Sequence, residues 1–165
     1  MARAVTHKPI VQFHKEVAAA HVGINGFYRF NMSEITGKFR SGVETPALLL
    51  ESHSSALSGN GVANFNHRAI SFLVMDFAGK ITDYDKQEEV LNECENICLD
   101  IISLMIKYNS DKTHWLFGKF DVSKVQIEKV GPLWDNMYGW NVIYTLKNQE
   151  KMCFDESKWA FPPEQ

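Results

Sequence analysis

Residues 122–146 read VSKVQIEKVGPLWDNMYGWNVIYTL, and the second half of that stretch decides how the chain folds. Trp140, Val142, Tyr144 and Leu146 fall on one side of a two-residue period, and Asn141, Ile143, Thr145 and Lys147 on the other. Strict alternation of this kind predicts a strand with one well-buried face. The segment from Val122 supplies an earlier arm, so the pair reads as a hairpin. Between the arms, GPLWDNMYG is expected to be a connection too long for a tight turn. Leu133, Trp134, Met137 and Tyr138 crowd into it, which is unusual for a solvated connection. The segment is therefore expected either to fold back on the core or to meet another molecule.

Working outward, His67–Phe77 (HRAISFLVMDF) is apolar at nearly every position, as in a central strand covered on both faces. Thr82-Asp83 offers a side-chain cap for the longest helix, with Asp85, Glu88 and Glu89 at the positive end of its dipole. Val90, Leu91, Cys94, Ile97, Cys98, Ile101, Ile102, Leu104 and Met105 then form an apolar stripe broad enough to cover a sheet, and Asn109 is expected to stop it. Near the start, Ile10, Phe13, Val17, Ala20 and Ile24 recur at helical steps from Pro9 to about Val22. Gly26–Asn31 reads as a short strand, Asn31–Gly42 as a polar loop, and Ala47–Leu50 as a strand introduced by Thr45-Pro46. Ser52–Asn66, dense in Ser, Gly and Asn, reads as a loop throughout.

These elements predict an α+β domain over residues 1–148. It is a mostly antiparallel sheet covered by one long helix plus an N-terminal amphipathic helix, with long loops. Residues 149–165 carry Phe154, Trp159, Phe161 and Pro162-Pro163 among charges, and are expected to form a C-terminal arm docking on its own domain or on a neighbour.

Composition narrows the function. At 165 residues the chain is long enough to bury a core without staples, and its 45% hydrophobic and 22% charged content is that of a globular protein. With a net charge of −3, nothing in the composition suggests a nucleic-acid binder held by bulk electrostatics, although Lys38 and Arg40 lie close together. The cysteines are Cys94, Cys98 and Cys153, the first two one helical turn apart, which suits apolar core residues and a reducing cytoplasm. No signal-peptide layout and no bilayer-spanning run is present in the sequence.

Candidate chemistry is sparse. His7, His14 and His21 recur every seven residues, but on a helix His14 and His21 stand roughly 10 Å apart along the axis, too far to share an ion. A solvated or capping role is expected for them, and no metal or cofactor. His53 and His67 flank a loop holding Ser52, Ser54, Ser55 and Ser58, without a GxSxG elbow or an orienting acid, so no catalytic residues are expected. Gly59–Gly61 lacks the strand and helix of a phosphate loop. Asp83 and Asp85 suit a helix start better than a cation site with Asp76. What remains is the aromatic content of nominal loops and of the tail. Trp134, Met137, Tyr138, Trp159 and Phe161 are the expected protein–protein contacts, since such residues are enriched at interface centres.

Three passages carry a resemblance: TPALLLES (Thr45–Ser52), ISFLVMDF followed by DYDKQEEVLNECENICLDIISLM (within Ile70–Met105), and GPLWDNMYGWNVIYTL (Gly131–Leu146). In order and texture, from Pro9 to Leu146, the chain resembles the small neck and tail-completion proteins of tailed bacteriophages. These include the tail-terminator family and the ring proteins of crAss-like and related Bacteroidetes phages. In that family a helix precedes an apolar strand opened by a proline; a second strand, a long helix and a closing strand pair follow. The resemblance implies a structural virion protein of the neck or tail, assembled in the host cytoplasm. It implies a homo-oligomeric ring of six or twelve copies, contacting other neck or tail proteins and passing DNA without specific binding, with no enzymatic activity, no cofactor and no membrane. The alternatives are a small-ligand-binding or adaptor module, and a hydrolase using a loop histidine.

Overall fold

The computed structural model describes residues 5–29, 42–134 and 136–160. The loop expected over Asn31–Gly42 with Lys38 and Arg40, the strand positions from Phe30 onward, and Phe161 with Pro162-Pro163 lie outside them. The elements are α1 (His7–Ala20), β1 (Gly26–Arg29), β2 (Ala47–Leu50), β3 (Ser54–Gly59), β4 (Asn64–Phe77), α2 (Tyr84–Ser110), β5 (Gln126–Leu133) and β6 (Met137–Gln149). The fold is α+β, a six-stranded mixed sheet with two helices.

The frame of the sheet is β4 against β6, antiparallel from Phe65↔Gln149 to Phe77↔Met137. On the other edge of β4, β2 pairs with its last third and β3 with its first half, so β2 and β3 lie end to end. β5 runs antiparallel outside β6, and β1 is parallel to β2. That parallel pair is the exception to a sheet expected to be mostly antiparallel. It follows from the route of the chain, which enters β1 and β2 from the same end: Asn25 N–H donates to Pro46 O at 2.8 Å.

Both helices pack on one face. Ile10, Phe13 and Val17 of α1 and Val90, Cys94, Ile97, Cys98, Ile101 and Met105 of α2 close over Leu48, Leu50, Ile70, Phe72, Val74, Val142, Tyr144 and Leu146. The alternation of β6 thus buries Val142, Tyr144 and Leu146 beneath the long helix, and Trp140 Nε1–H donates to Leu91 O of α2 at 2.8 Å. Asp83 caps α2 by accepting from the Lys86 N–H at 3.1 Å, as expected of a helix-start aspartate. The opposite face carries a smaller cluster of Tyr28, Ala47, Leu49, Leu73, Met75 and Met137.

Two expectations are corrected. Ser52–Asn66 is not loop throughout: β3 and the start of β4 form a hairpin there, turned by Asn60, whose side chain accepts from the Val62 and Ala63 N–H groups. Every position of β3 is exposed, so its ladder rather than burial holds it, and no hydrophobic period marks it in the sequence. Between α2 and β5, Trp115 and Phe117 sit in turns, and Phe120 bridges to Leu146. The segment after Gly131 is not a long connection, because β5 runs to Leu133 and β6 starts at Met137. Gly139 makes this possible. A Cβ there would lie 1.9 Å from Val74 O, so β4 and β6 approach at a distance only glycine allows.

Candidate functional site

The four expected contact residues that are described do not form one surface. Met137 and Tyr138 open β6 with side chains on opposite faces: Met137 is buried in the smaller cluster and Tyr138 beneath α2. Both are packed within their own domain, so little of either side chain is left on the surface. Trp134 stands at the turn, 37% exposed, with φ of 33°, in the left-handed region that costs a bulky residue strain. The turn is tied down, since Asn136 O accepts from Ala78 N–H at 3.1 Å and Asn136 Nδ2–H donates to Gly79 O at 2.9 Å. Trp159 lies in the arm, and Phe161 falls outside the described residues.

The arm has local order of its own. After Glu150 the backbone leaves the sheet, and Glu156–Lys158 form a single 3-10 turn. Asp155 accepts from Ser157 Oγ–H at 2.6 Å and pairs with Lys158 Nζ at 3.2 Å. These bonds bring Phe154 and Trp159 face to face, with ring centroids 5.9 Å apart and planes 24° apart. Phe154 is 67% exposed and Trp159 57%, so a stacked aromatic pair is presented outward on a short turn.

The histidines are dispersed. His14 is wholly buried, against the expected solvated or capping role: its Nδ1–H donates to Ile10 O at 2.7 Å and its Nε2 accepts from the Tyr144 hydroxyl at 3.0 Å. One tautomer satisfies both bonds, so the ring is neutral. Burial without a countercharge pushes its pKa down from 6.5 to about 4 and that of Tyr144 up. His21 reaches Asp100 of α2 at 3.3 Å. His67 Nε2 lies 2.9 Å from Ser58 Oγ across the exposed hairpin, but it faces Ala56 and Lys147 in the ladder, with no carboxylate bonded to its other nitrogen among the described residues. An alcohol in that setting lacks the oriented base that acyl transfer requires.

Cys94 and Cys98 are core residues, their thiols pushed up by burial, that of Cys94 to about 12. Asp76 Oδ1 accepts from the following backbone N–H at 2.7 Å. Among the described residues no group of three or more His, Cys, Asp or Glu is placed to hold a metal ion, and no helix is long and apolar enough to cross a membrane.

One arrangement went unread in the sequence. Where β4 and β6 pass beyond the helices, Asn66 and Arg68 of β4 and Asn148 and Glu150 at the end of β6 stay buried on the helix-facing side. Arg68 donates through Nη1 to Asn148 Oδ1 and through Nη2 to Glu150 Oε2 at 3.3 Å, and both ionic side chains are only 6% exposed. The pair floors a cleft of about 380 Å³ walled by Thr6, His7, His53, Ser55 and Asn66, with Leu57 and Met152 at its lip. His7 and His53 rings stand 5.2 Å apart, and Arg29 reaches His7 Nε2 at 3.5 Å and Ser52 Oγ at 3.2 Å. The available signal was the period of β6, which continues from Leu146 to Asn148 and Glu150 and so turns two polar residues inward. No protein-family model matches the chain, and no curated protein matches it.

Proposed function

We propose that the chain is a structural subunit of a tailed-phage neck or tail end, similar to the tail-terminator family, whose copies close into a ring of six or twelve. The element order supports this reading. The elements α1, β2 (opened by Pro46), β4, α2 and the closing pair β5–β6 occur in the order the resemblance implies, with β1 and β3 as additional strands between the helices. The observation that carries it is the arm, where Phe154 and Trp159 are stacked on a turn fixed by Asp155, Ser157 and Lys158 and turned outward. A preordered aromatic pair loses little side-chain entropy on docking and supplies the apolar centre that interfaces favour. In this role the ring joins neighbouring virion components and passes DNA without reading it, which suits a chain of net charge −3. No active site is required.

The test is native mass spectrometry and size exclusion at several concentrations, alone and with candidate neighbouring virion proteins. Closed rings, lost when Phe154 and Trp159 are both replaced by Ser while the fold persists by circular dichroism, are the expected result. A monomer at every concentration that ignores those partners would sink the reading.

A further inference from the structure

The cleft over the Arg68–Glu150 pair has a charge balance that its own residues leave unresolved. Arg68 lines it from β4, His7 from the first turn of α1 and His53 from the segment between β2 and β3, and behind them Arg29, at the end of β1, reaches His7 and Ser52. Against these four basic groups the described residues set one carboxylate, Glu150, already engaged by Arg68 and by Asn148 Nδ2 at 3.4 Å. His53 makes no hydrogen bond among the described residues, and burial together with His7, Arg68 and Arg29 holds its pKa below the ordinary value. Burial is the larger cause of that depression, and the neighbouring basic groups add to it. Neutral donors lie beside it: Ser55 hydrogen-bonds Asn66 Oδ1 at 2.5 Å, which leaves the Asn66 amide N–H groups to donate.

A cation fits poorly, because the carboxylate is committed and His7 Nε2 faces the Arg29 guanidinium. An anion fits well. Its oxygens would meet Arg68, His53 and Asn66, and Leu57 and Met152 would flank a short apolar body. We propose that this cleft is a binding site for a small molecule bearing an oxyanion, a phosphate or a carboxylate, held by Arg68, His53 and Asn66. Charge-assisted bonds from a guanidinium already held in place by Asn148 and Glu150 give such a site its geometry. The site needs no ring, and it stands or falls separately from the assembly reading.

The experiment is an NMR titration of the isotope-labelled full chain with inorganic phosphate and, separately, with succinate, at fixed ionic strength set by chloride. At about pH 6 the His53 ring signals and the Arg68 side-chain signals are expected to shift saturably in the millimolar range. Bound anion favours the protonated ring, so the His53 titration midpoint is expected to rise by about one unit, equivalent to roughly tenfold tighter binding to the protonated form. Saturation by phosphate alone identifies a phosphate-bearing ligand, and by succinate alone a carboxylate-bearing one; either supports the site. His53→Gln, which leaves the buried pair intact, is expected to weaken binding several-fold, and Arg68→Lys to weaken it further. Absence of saturable shifts with both anions up to tens of millimolar, or His53→Gln binding as the parent does, overturns the proposal.

Discussion

Acidification should destabilise this fold through one buried side chain, His14. In the folded protein its Nδ1–H is held by Ile10 O, its Nε2 by the Tyr144 hydroxyl, and Phe13, Phe72 and Tyr144 surround the ring. A proton on Nε2 would turn the Tyr144 hydroxyl from donor to acceptor, leave its O–H without this partner and place a charge in an apolar interior. The folded pKa is therefore lowered to about 4, whereas the unfolded chain titrates near 6.5. Between those values the unfolded state binds the proton that the folded state refuses, so stability falls as pH falls. Well above pH 6.5 the group contributes no pH dependence. By pH 5 the loss is about 2 kcal/mol, and near pH 4 it approaches about 3 kcal/mol. For a chain of this size a 2 kcal/mol loss lowers the Tm by roughly 4–8 °C. Urea unfolding at a series of pH values from neutral to about pH 5 measures the slope, and the same series on His14→Gln removes this group and leaves other titrations in place. The variant is expected to be weaker at neutral pH but flatter by about 2 kcal/mol across the window. Parallel slopes for parent and variant, or an imidazolium signal for His14 in the folded protein at pH 5, would refute the argument.

Other consequences follow from the same packing. Glu150→Gln leaves Arg68 buried without its countercharge and should cost about 3–5 kcal/mol, whereas Arg68→Met combined with Glu150→Leu should recover most of that loss; equal stability of the single variant and the parent by denaturation would contradict the burial of the pair. Gly139→Ala puts a Cβ against Val74 O at 1.9 Å, a clash that backbone can relieve only by parting β4 from β6; the variant is expected to be insoluble or to melt far below the parent, and parent-like melting would be inconsistent with the register. At about pH 8 a disulfide reagent should label the exposed Cys153 within minutes, while Cys94 and Cys98, buried under α2, react only as fast as the protein unfolds; three thiols reacting together would argue against that packing.

The elements that were legible in the sequence are those whose side chains carry a period. α2 announces itself by its apolar stripe and its Asp83 cap, and β4 by an apolar run, whose second face is covered only around Leu73 and Met75 while Ala69 and Phe77 are exposed. β6 announces itself by alternation, but its start was misplaced. Tyr138 keeps the phase of Trp140 and Val142, and Met137 takes the other face, so the strand begins two residues before Gly139. Read alone, that glycine looks like a boundary. In the folded protein it sits mid-ladder because Val74 O comes too close for any side chain, a fact about a neighbour more than sixty residues earlier in the sequence. β3 was invisible for the opposite reason. An exposed hairpin strand made of Ser, Ala, Leu and Gly needs partners but no core, so composition marks it as loop.

The cleft was missed for a reason that also explains why it exists. Arg68 sits in a run read as apolar, yet by phase it shares the face of Ile70 and Phe72 and must point toward the helix layer. It can do so only because β4 and β6 outrun the helices. Register sets Arg68 opposite Leu146, with Asn148 and Glu150 beyond it on the same face. The partner that neutralises Arg68 lies 82 positions away, a separation at which no local pattern pairs two charges. The same alternation that builds the core under α2 thus continues past its end, where the residues in phase change from leucine and tyrosine to arginine, asparagine and glutamate. A strand pair of this length needs some polar closure where its cover stops. Among the described residues, Arg68, His53 and His7, with Arg29 behind them, stand against one carboxylate, Glu150, and that arrangement distinguishes the cleft from a plain buried ion pair.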